Sequence, residues 1–259
     1  MKRIFQSQTI STGLAIFSMF FGAGNVVFPL VIGASAGDKN IFAIAGLLIT
    51  AVGIPFLGLF ATILFSGDYR KFFFRMGKVP GLFAIVSCMA MIGPFAALPR
   101  CVALAHTTMQ AFLPRTSVFM FSLIACILLF FLAVSRSKIV DILGKVLSPI
   151  LLISLFVIII KGIINAPSAP MVSDSGLLFF KKGFLEGYNT MDFLATFFFS
   201  NAVIVGLLRA QGKKDSDEIK PSKELIKMVI NAGIIGSSLL ALVYVGFSFV
   251  ASFYAAELA

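Results

Sequence analysis

Charged residues are scarce in this chain. Asp, Glu, Lys and Arg make up 12% of its 259 residues, whereas hydrophobic residues make up 59%. Soluble domains carry about 25% charged residues and about 45–50% apolar residues. The shortage of charge and the excess of apolar residues argue against an ordinary soluble domain, and they indicate a chain that lies in a lipid bilayer.

Tryptophan is absent, and cysteine and histidine are rare. Cys88, Cys101 and Cys126 lie within apolar runs without CxxC spacing, so they support neither a disulfide framework nor a metal site. His106, the single histidine, adds no metal cluster. No nucleophile–base pair and no phosphate-binding loop is visible, so we expect neither an enzyme nor a bound cofactor.

The net charge of +10 does not indicate a nucleic-acid partner, because the Lys and Arg residues form short clusters between long apolar runs. A helix needs about 20 mostly apolar residues to cross a bilayer. Seven segments meet this requirement. We therefore predict an all-α polytopic membrane protein with spans near residues 8–33, 41–66, 81–111, 117–135, 142–164, 183–208 and 224–254.

The basic clusters also predict the orientation of the spans. With a cytoplasmic N-terminus, 15 of the 21 Lys and Arg residues lie on the inner side, and Arg100 lies within a span. The outer side then holds only Lys39, Arg115, Lys161, Lys181 and Lys182. Because cytoplasmic loops are enriched in Lys and Arg, we expect the N-terminus inside and the C-terminus outside.

The first span contains residues that weaken a helix, Gly22-Ala23-Gly24-Asn25 followed by Pro29. Relative to Ala, Gly costs a helix about 1 kcal/mol and Pro about 3 kcal/mol. Unwound backbone exposes N–H groups that suit a carboxylate and carbonyls that suit a cation or an ammonium group. A binding site at a broken helix is therefore one interpretation, and close helix packing through the glycines is the other.

The sixth span contains a second interruption, Glu186-Gly187-Tyr188-Asn189-Thr190-Met191-Asp192. A charged side chain within a bilayer costs at least about 2.5–3.5 kcal/mol. Asp192 precedes a Phe-rich run inside the span, so it does not face lipid. It either binds a coupling ion or a polar group of a substrate, or it forms a structural hydrogen bond or ion pair, for example with Arg100.

The third span contains Gly93-Pro94-Phe95-Ala96-Ala97-Leu98-Pro99-Arg100. Two prolines five residues apart predict a kink in this span. Arg100 then lies in or near a polar cavity, or its side chain extends outward to the interface.

Interruptions in spans 1 and 6 predict a particular architecture. Many transporters consist of two inverted halves, with a broken helix at the same place in each half. We therefore predict a LeuT-type 5+5 inverted repeat in which helices 1 and 6 are broken. Residues 1–165 form the first five-helix repeat, and residues 166–259 form a partial second repeat with helices 6 and 7. We expect regular helix to be lost near residues 22–25 in span 1 and near 187–190 in span 6, with the binding site between these breaks, near the midplane.

Three stretches resemble a known family. FFGAGNVVFP at 20–29, GPFAALPR at 93–100 and GFLEGYNTMDFLA at 183–195 are similar in sequence and spacing to the bacterial branched-chain amino-acid:cation symporters, the BrnQ or LIVCS family. The resemblance covers the whole chain in order. It implies uptake of leucine, isoleucine and valine, driven by Na⁺ or by H⁺, across the bacterial cytoplasmic membrane.

The resemblance also implies roles for individual residues. Gly22, Ala23, Gly24 and Asn25 are expected to contact substrate and ion, with a sodium site at Asn25 and the backbone of Ala23. The facing wall is expected to contain Gly187, Tyr188, Thr190 and Asp192. We also expect an apolar pocket for the aliphatic side chain, lined or supported by Val26, Met91, Met191 and Arg100.

One departure from the family is large. Its members have ten or more spans, and in LeuT-type carriers the eighth span supplies hydroxyl groups to a sodium site, whereas seven spans are predicted here. We therefore expect a fragment or a truncated frame. The alternatives are a non-transporting remnant, a membrane helper subunit, or a carrier of the same fold for another neutral amino acid. The sequence does not predict an oligomeric state.

Site-directed labelling tests the predicted orientation. In a variant without native cysteines, Phe72→Cys and Lys214→Cys should react with an impermeant maleimide only after the cells are permeabilised, because both positions are predicted to be cytoplasmic. Arg115→Cys, on the predicted outer side, is the control and should react in intact cells. Strong labelling of positions 72 and 214 from outside would contradict the orientation.

Overall fold

The structure, a computed structural model, describes residues 2–22, 24–65, 67–134, 148–210 and 223–255. All regular secondary structure within these ranges is helical, which confirms the all-α class. Ala23, Lys214 and most of the polar loop before Lys223 lie outside the described residues, and so does the beginning of the predicted fifth span.

The α-helices in the described ranges are α1 (Lys2–Phe20), α2 (Gly24–Ala36), α3 (Asn40–Leu48), α4 (Ile54–Ile63), α5 (Tyr69–Phe73), α6 (Lys78–Ala90), α7 (Ala97–Gln110), α8 (Val118–Val134), α9 (Ser148–Ile164), α10 (Gly176–Asn189), α11 (Asp192–Ala210) and α12 (Lys223–Phe253). Short 3₁₀ or π turns connect α2 to α3, α3 to α4, α5 to α6, and α6 to α7.

In the part of the chain that the structure describes, three helical stretches are long and apolar enough to cross a bilayer. They are Gly24–Ile63, Lys78–Gln110 and Ile226–Phe253. Shorter apolar helices occupy Thr9–Phe20, Val118–Phe131 and Pro149–Ile164. These lengths and compositions are those of a membrane protein, while the total of seven spans remains a prediction.

The sixth predicted span begins earlier than expected. The sequence placed its start near residue 183, but α10 begins at Gly176. Ser175 caps this helix, because its hydroxyl oxygen accepts a hydrogen bond of 3.4 Å from the N–H of Leu178. The cap satisfies a backbone donor at the helix start and fixes the boundary there.

The long helix α12 lies at the centre of the main apolar core. It packs extensively against α1 and α2 and also contacts α9. Backbones approach closely at Gly33 of α2, where an added Cβ would lie 2.1 Å from the carbonyl oxygen of Ser248. Helices in a bilayer associate through such close contacts, since burial from water contributes little there.

Glycines also allow the tight packing of α10 on α3. An added Cβ would lie 1.9 Å from the Ala43 carbonyl oxygen at Gly183, and 2.2 Å from the Phe180 carbonyl oxygen at Gly46. Across the same interface, the Thr50 hydroxyl donates a hydrogen bond of 2.9 Å to the carbonyl of Phe184. This packing holds the end of α10 in a fixed position beside the first span.

The predicted third span is kinked, in agreement with its prolines. A π turn at Met91–Phe95 contains Pro94, and Gly93 has the non-helical angles φ −82° and ψ −110°. The described side chains of α7 are mostly exposed, with His106 as the buried exception. The apolar ones among them suit contact with lipid.

Substitution of Gly183 tests the packing of α10 on α3. Gly183→Ala should lower the free energy of unfolding by about 1–3 kcal/mol or more, because the new methyl group overlaps a backbone carbonyl. Gly53→Ala is the matched control, since its Cβ would have 3.7 Å to the Leu48 carbonyl oxygen. Thermal unfolding in detergent, followed by circular dichroism, measures both. Equal stability of the two variants would contradict the tight packing.

Candidate substrate and ion site

The first broken helix is closed by one side chain. Helix α1 ends at Phe20 and α2 begins at Gly24. The Asn25 side chain bridges the gap, because its Oδ1 accepts a hydrogen bond of 3.1 Å from Gly22 N–H and its Nδ2 donates one of 2.9 Å to the Phe20 carbonyl. The break lies earlier than the predicted 22–25, since Gly24 and Asn25 already belong to α2.

The second broken helix lies between Asn189 and Asp192. Thr190 and Met191 leave the helix, and Met191 has a φ of +63° in the left-handed region. Methionine rarely adopts this conformation, because its Cβ crowds the backbone there. The Thr190 hydroxyl stabilises the turn by donating a hydrogen bond of 2.9 Å to the Gly187 carbonyl and accepting one of 3.4 Å from Asp192 N–H.

This break falls later than the predicted 187–190. Gly187 is still helical and lies against α3, where an added Cβ would be 1.8 Å from Thr50 Oγ1. Helix packing therefore accounts for this glycine. Tyr188 is also helical, with its ring exposed and 5.6 Å from the ring of Phe184.

The two breaks meet in the interior. Asn25 Nδ2 donates a hydrogen bond of 2.8 Å to Asp192 Oδ2. A Cβ added at Gly24 would lie 3.5 Å from Thr190 Cα. Residues that are 167 positions apart in the sequence are thus in direct contact, and the two breaks pack against each other.

A tyrosine from a third helix completes the cluster. The Tyr244 hydroxyl, on α12, donates a hydrogen bond of 3.1 Å to Asp192 Oδ2 and accepts one from Asn25 Nδ2. We call Asn25, Asp192 and Tyr244 the polar triad. Their exposed fractions are 1%, 6% and 0%, so the triad is shielded from both lipid and water.

The sequence did not single out Tyr244, although it carries a signal. Tyr244, Ser248 and Ser252 follow at intervals of four in an apolar helix, and all three are buried. Residues four apart lie on one face of a helix. A buried polar stripe within a membrane helix is a general indication of contact with another polar group.

Arg100 does not neutralise Asp192. Among the described residues the single ion pair joins Lys39 and Asp38. Arg100 Nη1 instead donates a hydrogen bond of 2.5 Å to the carbonyl of Asn189, the last residue of α10. Its Cζ also lies 5.1 Å from the centre of the Phe28 ring on α2.

The residues expected to line an apolar pocket have different environments. Val26 and Met191 are half-buried, and each neighbours a residue of the triad in the sequence. Met91 is 43% exposed at the start of the π turn. The structure therefore favours Val26 and Met191 over Met91 as pocket residues, and their roles remain predictions.

Two broken helices that join through a buried polar cluster define a class of protein. This arrangement, in an apolar all-helical chain, is that of a membrane transporter. The chain belongs to the family described as branched-chain amino acid transport protein, whose model matches residues 5–258.

Curated relatives agree with this family. The chain is 34% identical over 249 residues to the branched-chain amino acid permease BraB of Bacillus subtilis, covering 93% of this chain and 54% of the relative. It is 35% identical over 270 residues to the permease BrnQ of the same organism, covering 99% of this chain and 59% of the relative. The chain thus spans somewhat more than half the length of these relatives. It matches no solved structure.

Removal of the Asn25 amide tests how much the breaks depend on it. Asn25→Ala should lower the free energy of unfolding by at least about 2 kcal/mol, because a buried polar group left without a partner costs about 1–3 kcal/mol. Asn165→Ala is the control, since this exposed amide makes one hydrogen bond, to the carbonyl of Lys161. Thermal unfolding in detergent measures both variants. Equal losses would show that the break does not depend on Asn25.

Proposed function

We propose that the protein is part or all of a secondary carrier that imports leucine, isoleucine and valine together with a cation. Na⁺ is the proposed coupling ion, and H⁺ is the alternative. Membership of the family and the printed names of the relatives support the substrate class. The observation that carries the proposal is the polar triad at the contact of two broken helices. We place the protein in the bacterial cytoplasmic membrane with its N-terminus inside.

The two breaks support a LeuT-type arrangement. With seven spans, α1 and α2 form span 1, and α10 and α11 form span 6. Equivalent breaks in spans 1 and 6 are what a 5+5 inverted repeat requires. Residues 1–165 are then the first repeat, and residues 166–259 belong to the second.

The surroundings of Asn25 suit a cation. Its Nδ2 is in contact with three oxygens, which belong to the Phe20 carbonyl, Asp192 and Tyr244. An amide nitrogen has only two hydrogens, so it cannot satisfy three acceptors at once. Carbonyl and carboxylate oxygens beside an unwound helix are typical ligands of Na⁺ in such carriers. A rotation of the Asn25 side chain would open this oxygen-lined position to the ion.

Asp192 strengthens the argument for a cation. It is buried within a predicted span, and the described residues that donate hydrogen bonds to its carboxylate, Asn25 and Tyr244, are neutral. A buried carboxylate without a positive partner is costly in a bilayer. A bound Na⁺ or a proton would remove that cost, which links the ion to the same residue that joins the two breaks.

Ligand binding to the chain in lipid nanodiscs tests the proposal. Labelled leucine should bind saturably, isoleucine and valine should compete, and lysine should not. Na⁺ should raise the affinity for leucine, and leucine should raise the affinity for Na⁺ by the same factor, because the coupling of two binding sites is reciprocal. Choline replaces Na⁺ in the reference measurement.

Two tyrosine variants test whether the coupling between Na⁺ and leucine binding depends on the triad. Tyr244→Phe should raise the Na⁺ concentration needed for half-maximal leucine binding by about tenfold, the loss expected for one hydrogen bond to a charged group. Tyr254→Phe is the control, because its hydroxyl donates to the Asn165 carbonyl at the protein surface. Leucine binding that does not depend on Na⁺ but changes with pH would favour H⁺ as the coupling ion. Preference for a basic amino acid would overturn the substrate class.

A further inference from the structure

Arg100 lies beside both breaks without being part of the triad. Its guanidinium contacts the Asn189 carbonyl at the end of α10 and the face of Phe28 on α2. Phe28 follows Asn25 by about one helical turn, and Asn189 precedes the break that leads to Asp192. The guanidinium therefore lies beside one helix from each break, α2 and α10.

The Arg100 guanidinium retains unused hydrogen-bonding capacity. An arginine side chain carries five N–H donors. One of its nitrogens, Nη1, has a hydrogen bond to a described residue, and its Cζ lies over the ring of Phe28. The remaining donors have no hydrogen-bond partner among the described residues, and their forked geometry matches a carboxylate.

The backbone N–H groups at the breaks are less available than the guanidinium to bind a carboxylate. Gly22 N–H is bound by Asn25 Oδ1, and Asn25 N–H donates to the Gly22 carbonyl at 3.1 Å. At the second break, Met191 N–H donates to the Tyr188 carbonyl and Asp192 N–H donates to Thr190 Oγ1. These four N–H groups are thus already bonded within the chain, and they include the Gly22 and Asn25 donors that the sequence suggested for a carboxylate.

Charge gives the site a polarity. Asp192 lies in the triad and Arg100 lies beside both breaks, and the two do not pair with each other in the described residues. A zwitterionic amino acid needs a donor for its carboxylate and acceptors for its ammonium group. The carbonyl ends of half-helices serve the ammonium group well, which leaves the carboxylate for the guanidinium.

We propose that Arg100 binds the carboxylate of the transported amino acid. This role rests on the proposed function and goes beyond it, because it assigns the recognition of the α-carboxylate to a side chain of the third span. The kink at Gly93 and Pro94 lies just before α7, and Arg100 lies near the start of α7. The residue that contacts both breaks therefore follows directly after the bend.

Leucine and L-leucinamide separate this role from a structural one. Leucinamide keeps the ammonium group and the aliphatic side chain but has a neutral amide in place of the carboxylate. The chain in nanodiscs, titrated with each ligand, should bind leucine about tenfold to a hundredfold more tightly, the range expected for a charge-assisted hydrogen bond. Arg100→Gln should weaken leucine by that factor and leave leucinamide unchanged, so that the preference disappears.

Two further variants complete the experiment. Arg75→Gln removes an equal charge from an arginine that also lies over a phenyl ring, 5.5 Å from the centre of Phe65, and it should keep the preference for leucine. Arg100→Lys should restore part of the preference, because it keeps the charge without the forked geometry. Circular dichroism confirms that each variant is folded.

The outcomes distinguish the two proposals. A parallel loss of leucine and leucinamide affinity in Arg100→Gln would overturn the carboxylate role and leave a structural contact. Unchanged leucine affinity in this variant would also overturn it, while the proposed function would stand. Absence of saturable leucine binding to the unmodified chain would overturn the proposed function and the role of Arg100 together.

Discussion

A broken helix inside a bilayer leaves backbone groups that neither water nor lipid can satisfy, and the Asn25 side chain resolves this constraint. Its amide serves the Phe20 carbonyl and the Gly22 N–H at the same time. Each such group would otherwise cost several kcal/mol in hydrocarbon. The same amide donates to Asp192 on the facing break and contacts Tyr244 on α12, so one residue connects three separate helices.

Close packing of glycines determines where the second break falls. Gly183 and Gly187 hold α10 against α3, and a helix that is fixed in this way continues to Asn189. The chain then turns through Met191 in the left-handed region and starts α11 with Asp192. Strain of this kind persists only where the surroundings impose it, and it is common at functional sites. Packing outside the triad therefore helps to position its carboxylate.

Composition and local pattern determined much of this protein. The scarcity of charge indicated a membrane chain, and Gly22 with Pro29 indicated a weak point in the first span, because both effects are local to the sequence. The kink at Pro94 followed in the same way, whereas the family was inferred from the resemblance of three stretches. Arg100 was expected either in or near a polar cavity or extending outward, and it contacts α2 and the end of α10. The break in the predicted sixth span was predicted less accurately. Gly187 was expected to interrupt the helix, but it lies within α10 and allows this helix to pack closely on α3.

Only the tertiary structure decided which groups meet. The partners of Asp192 lie 167 and 52 positions away in the sequence, on two other helices. Sequence patterns report one helix face at a time, so they could not show that Tyr244, rather than Arg100, reaches this carboxylate. Nor could they show that Asn25 begins a helix while closing the gap behind it, because a side chain's choice among possible acceptors depends on how the helices pack.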